Sequence, residues 1–122
     1  MKPPARRVPT TLVTGASGAA REAAIAAALA PGEAAAAILE GLPDGRALLD
    51  NTPQLALRRI APGCLCCTGN LVLRVTLNRL LRDPPVRLFV GLATQEHLDQ
   101  LRSWLARAPY DQLLELTPDL AA

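Results

Sequence analysis

Cys64, Cys66 and Cys67 fall within four consecutive positions between Gly63 and Gly69, and they are the only 3 cysteines in the chain. An odd number so tightly spaced is no disulfide framework. Thiolates are soft ligands suited to Zn(II) or Cu(I), and the glycines allow a loop to bend until more than one sulfur points inward. Neighbouring residues of an extended stretch point apart, so Cys66 and Cys67 converge only where the chain turns between them. A tetrahedral zinc site would need a fourth ligand from water, His97, a carboxylate or another chain. Two other readings compete with metal binding. The thiols could be reduced and unliganded, or Cys64 and Cys66 could form a reversible disulfide, although that pair is spaced Cys-x-Cys and not in the Cys-x-x-Cys manner of thioredoxin-like redox pairs. Arg58 and Arg59 would favour thiolate over thiol if they faced the loop, but alternation along a strand sends them to opposite sides.

A second constellation lies near the start of the chain. Gly15-Ala16-Ser17-Gly18 separates the β-branched run Thr10 to Thr14 from the Ala-rich run Ala19 to Ala30, which predicts strand, tight loop and helix. A helix N-terminus so placed attracts anions, and Arg21 could add a charge to that cradle. The competing expectation for Arg21 is a surface arginine paired within the helix or with Glu22. Glu22 carries the wrong charge for a phosphate and is itself placed to complement the helix N-terminus. His97, the 1 histidine of the chain, lies between Glu96 and Asp99 and is expected to be an exposed helical residue rather than a ligand. Arg74, Arg79 and Arg82 predict a solvated helix face.

The elements that must position these residues follow from periodicity. Ala35 to Leu39 is a candidate strand despite its alanines, Pro43-Asp44-Gly45 a turn, and Gln54 to Ile60 a strand that runs into the cysteine loop. Leu73, Leu77, Leu80 and Leu81 give a helix from near Asn70 to the stop at Asp83-Pro84-Pro85. Arg87 to Val90 reads as a buried strand, Gln95 to Ala106 as a helix with Leu98, Leu101 and Leu105 inward, and Leu113 to Thr117 as a last strand. Strands alternating with helices predict βαβ crossovers and a mainly parallel sheet of about five strands with helices on both faces. The chain has 122 residues, so this is one domain, expected over residues 10–122 behind a flexible segment 1–9.

Composition excludes several classes. With 13 Lys plus Arg against 11 Asp plus Glu the net charge is only +2, and aromatic residues make up 2%, which leaves neither the charge nor the stacking surfaces of a nucleic-acid binder. No apolar stretch approaches the roughly 18 residues of a membrane span. The basic N-terminus leads into a strand rather than the apolar core of a secretion signal, so a cytoplasmic location is expected.

Leu12-Val13-Thr14-Gly15-Ala16-Ser17-Gly18 opening one helix, followed by Gly63-Cys64-Leu65-Cys66-Cys67-Thr68 opening another, resembles the CobW-type P-loop GTPases, a family of metal chaperones and cofactor-insertion proteins. The resemblance runs from about Leu12 to the end of the chain. It implies a three-layer α/β/α fold of the P-loop type. In that family the first loop ends in Gly-Lys-Thr, the lysine reaching the terminal phosphates and the hydroxyl holding magnesium. Here those places read Ala20-Arg21-Glu22. After the strand Leu88 to Val90 the family places an acidic residue and then a glycine that sense magnesium and the terminal phosphate, whereas this chain has Gly91-Leu92-Ala93-Thr94. The family's guanine-reading Lys-x-Asp segment and its C-terminal domain have no counterpart before Ala122.

The resemblance therefore implies a truncated and degenerate homologue. Its nucleotide loop keeps Gly15, Gly18, Arg21 and Glu22, GTP and magnesium are not expected to bind, and no residue is assigned a catalytic role. Cys64, Cys66 and Cys67 are the expected metal ligands, with Zn(II) the candidate ion. The function expected is a metal-binding, regulatory or interaction module in metal homeostasis. An active GTP-hydrolysing metallochaperone and a remnant acting only through protein contacts are the alternatives. A half-sized fold with an open sheet edge points to a homo-oligomer, or to a full-length GTPase or metalloprotein partner, with neither nucleic acid nor membrane expected.

Overall fold

A computed structural model of the chain describes residues 7–41, 49–60, 71–93 and 98–122. The elements follow in the order β1 (Val8–Thr14), α1 (Gly18–Ala28), β2 (Ala35–Glu40), β3 (Leu55–Ile60), α2 (Leu71–Leu80), β4 (Arg87–Gly91), α3 (Leu98–Leu105), α4 (Tyr110–Leu113), β5 (Leu114–Leu116) and β6 (Leu120–Ala121). The expected α/β alternation holds. Two short elements were not anticipated, the single turn α4 and the two-residue β6, and β1 begins at Val8 rather than Thr10.

The sheet runs β3-β2-β4-β1-β5, with β6 also against β1. Its named ladders are parallel, as βαβ connections require. The central strands are apolar toward both faces. Leu88 and Val90 of β4 join one cluster with Leu12, Ile38, Leu73, Leu77, Leu101 and Leu105, while Phe89 joins the other with Val13, Ala37, Leu39 and Ile25. One face is thus covered by α1 and the opposite face by α2, α3 and α4, giving three layers. Ala35, Ala36 and Ala37 have weak strand propensity, yet they are buried between β3 and β4, where non-local ladders decide the conformation.

Both ends of the sheet are partly satisfied from within the chain. At the β3 end, the Leu57 N–H donates to Asn51 Oδ1 (3.0 Å) and the Leu57 carbonyl accepts from Arg58 Nη1 (2.9 Å). The Leu55 N–H donates to the Thr52 carbonyl at 3.1 Å. At the other end, Arg102 of α3 donates to the Thr117 carbonyl and to Asp119 Oδ1 (2.7 Å), holding the bend between β5 and β6. Asn51 and Thr52 of the preceding turn and Arg58 of β3 thus occupy backbone groups of Leu55 and Leu57 on the outer side of this edge strand.

Tyr110 begins α4 and donates its hydroxyl to Asn78 Oδ1 (3.1 Å), with its ring centroid 5.0 Å from that of Trp104. Burial pushes its pKa above the usual 10.0, against an opposing pull from the Arg74 charge. Folded and unfolded states both hold this proton below pH 10, so the associated stability is intact there. It is lost as pH rises through the elevated folded value. Tyr110 is the 1 tyrosine of the chain, so phenolate absorbance reads it alone. The expected midpoint lies above 10.0 in buffer and returns to about 10 in denaturant. A folded-state midpoint at or below 10.0 would contradict the burial argument.

Candidate functional site

Parallel strands bring their carboxyl ends to one edge of the sheet. There β1 delivers the loop Gly15 to Ser17, β2 delivers Glu40 and Gly41, β3 delivers Arg59, and β4 delivers Gly91. Neighbouring β1 and β4 send the helices that follow them to opposite faces, and the crevice between such strands is where open α/β sheets bind ligands. The crevice here is lined by Gly18, Arg21, Glu22, Leu39, Glu40, Gly41, Arg59 and Gly91. Its volume is about 10 Å³. A single water needs about 10–15 Å³ by the same measure, so this void is about the size of one water.

Gly18, Arg21 and Glu22 line this crevice, and Gly15 lies beside it in contact with the Arg21 side chain. Ser17 caps α1, its side chain accepting from the Ala20 N–H at 3.0 Å. Arg21 is not paired with Glu22; its Nη1 folds back to donate to the Gly15 carbonyl at 3.1 Å. Gly15 is itself crowded. A Cβ there would sit 2.8 Å from the Ala122 Cβ and 3.1 Å from the Arg21 Cγ, and the Ala122 N–H donates to the Thr14 carbonyl at 2.7 Å. Ala122, just after β6, and the Arg21 stem therefore pack against the Gly15 Cα.

Glu22 corrects a second expectation. It lies beyond the first turn of α1, which contains no acidic residue, and does not cap the helix dipole. It is turned inward, only 3% exposed, toward the end of β3. There Arg59 Nη2 donates to its Oε1 at 3.1 Å and Arg59 Nη1 to its Oε2 at 3.4 Å, while the Leu49 N–H donates to Oε1 at 3.3 Å. A buried carboxylate held by a two-pronged guanidinium and a backbone donor is charge-compensated where it stands. Arg58 and Arg59 do diverge as strand alternation requires. The Arg59 charge is engaged by Glu22, which leaves it a poor candidate for stabilising a thiolate nearby.

Glu40 was not singled out from the sequence. It closes β2 half-inside the crevice, 8% exposed, and its Oε1 accepts from the Ala93 N–H at 2.7 Å. The signal available was a single carboxylate at the end of an apolar strand and directly before Gly41, whose φ of 93° suits glycine. Its bond to Ala93 ties the end of β2 to the segment after β4, the stretch where the family resemblance expects phosphate-sensing backbone.

Cys64, Cys66, Cys67 and His97 lie outside the described residues. Among the described residues, no group of three or more His, Cys, Asp or Glu stands together as a metal site. Among the described residues, no helix is long and apolar enough to cross a membrane. A larger cavity of about 370 Å³ lies at the opposite end of the sheet, between the end of α1 and the start of β3, remote from the loop. No protein-family model, curated protein or solved structure matches the chain.

Proposed function

We propose that this chain is a CobW-like module that has lost its nucleotide switch and acts through metal binding at Cys64, Cys66 and Cys67, with Zn(II) as the ion, in a regulatory or partner-binding role. The observation that carries the first half is the occupied loop. Glu22 and Arg59 close the crevice on each other, Arg21 is committed to the Gly15 carbonyl, and Ala122 packs on Gly15. A nucleotide would have to displace a charge-compensated buried pair to enter, at a cost of several kcal/mol before any contact is gained.

The second half is supported by donor chemistry. Three cysteines in four positions, flanked by glycine, supply soft ligands without needing a phosphate-driven change of state. In an anaerobic titration of the reduced chain against a chromophoric zinc chelator, one equivalent of zinc is expected to bind, and to be lost when Cys64, Cys66 and Cys67 are all changed to Ser. Equal chelator competition by both proteins would remove metal binding from the proposal and leave a module acting through protein contacts alone.

A further inference from the structure

We infer that the outer face of α2 is a docking surface for an acidic amphipathic segment of a partner protein. Leu73, Leu77 and Leu80 anchor this helix to the sheet and are buried. On the side away from them, Leu71 is 67% exposed, Val72 49% and Val75 39%. Val75 is one turn from both Leu71 (i, i+4) and Val72 (i, i+3) and lies between them around the helix, so the three make one patch along its first turn and a half. They are three of the five large apolar side chains exposed among the described residues, the others being Val86 and Leu113 on separate segments.

Charge on the same face points to the occupant. Arg79, and Arg82 just beyond the helix end, are exposed on this face, Arg74 is exposed on its flank toward Tyr110, and no carboxylate occurs from Leu71 to Arg82. The ion pairs among the described residues join Arg7 to Glu115, Arg59 to Glu22, Arg87 to Glu33 and Arg102 to Asp119, so these three guanidiniums take part in none of them. An apolar patch that continues into unpaired arginines is complementary to a segment carrying apolar anchors at one end and Asp or Glu at the other.

A second copy of this chain fits less well. Leu113 has Asp111 and Glu115 near it, but Glu115 faces Arg7 at 3.7 Å, and no described element presents several apolar side chains beside unpaired acids. A lipid surface is also disfavoured, because the apolar side chains are confined to one end of a ten-residue helix whose other side is anchored in the core.

This inference extends the reading of the chain as a binding module, and it stands or falls separately from zinc binding at the cysteines. The experiment is a selection of random displayed peptides on the folded full-length chain, with counter-selection on V72D/V75D. Enrichment of peptides combining Leu, Ile or Phe with Asp and Glu is expected. Their affinity should fall at least about tenfold in V72D/V75D and in R79E/R82E, and weaken with salt in the wild type. Circular dichroism of both variants must match the wild type, and L113D serves as a surface control that leaves binding unchanged. Failure to enrich, or enrichment of sequences without acids, overturns the inference. So does binding of phosphatidylglycerol vesicles that both variants abolish, or a concentration-dependent dimer lost in V72D/V75D.

Discussion

Replacing Arg59 by Leu is expected to destabilise the fold by about 3–5 kcal/mol, more than any comparable change at Glu22. The asymmetry follows from exposure. The Glu22 side chain is 4% exposed and the Arg59 side chain 21%. Without Arg59 the buried carboxylate keeps only the Leu49 N–H, so its charge is left uncompensated. Without Glu22 the guanidinium can swing outward, and the main residual cost is the Leu49 N–H, about 1–3 kcal/mol for an unsatisfied buried donor. The double variant E22L/R59L removes both charges and is expected to be more stable than R59L alone, giving a positive coupling in the cycle. Urea denaturation of the four proteins, with slopes checked for equality, measures this. An R59L midpoint within error of wild type would mean the pair is solvated and the crevice open.

That pair also shows where a sequence stops being informative. Strand and helix placement was legible because it rests on local periodicity: Leu88-Phe89-Val90 reads as a buried strand, and Leu73, Leu77 and Leu80 fall on one side of α2. The sequence also marked Glu22 as incompatible with a phosphate. It could not say what Glu22 does instead, since the partner lies 37 residues away in β3 and no spacing rule links a helix to a strand two crossovers distant. Arg59 was legible only as a neighbour of the cysteines. Glu40 went unremarked because one carboxylate after an apolar run has many uses, and the Ala93 N–H it binds is 53 residues on. The short β6 was hidden by Pro118, which breaks the pattern between β5 and β6. Its pairing with Val13 and Thr14 depends on the adjacent β1 edge rather than on its own two residues. The contacts on the outer side of β3 were hidden for a related reason, as Asn51 and Arg58 make them through side chains whose direction the sequence does not record.

The crevice beside α1 offers the second large effect. Wild-type chain is expected to show no saturable binding of magnesium-GTP and no turnover above background, whereas R21K/E22T should gain nucleotide affinity by up to about a thousandfold. A carboxylate about 4 Å from a phosphate oxygen repels it by roughly 4 kcal/mol per unit charge at an effective dielectric of 20, and each 1.4 kcal/mol is about tenfold in affinity. Removing Glu22 also frees the Arg59 guanidinium from its ion pair at the crevice wall, and removing Arg21 frees the Gly15 carbonyl contact. The gain is opposed by the stability lost with the pair, so binding has to be measured well below the variant's unfolding transition. Turnover is not expected to return. The stretch Gly91-Leu92-Ala93-Thr94 carries no carboxylate to organise magnesium, and the Ala93 N–H is engaged by Glu40 at 2.7 Å, so an added phosphate meets a donor already in use. Adding E40Q would weaken that engagement, and a further rise in affinity without turnover is the result that this arrangement demands. The opposite result, GTP hydrolysis by the wild type that disappears in Gly18→Val, would show the crevice opening in solution. The Glu22–Arg59 pair would then be a gate over a working site.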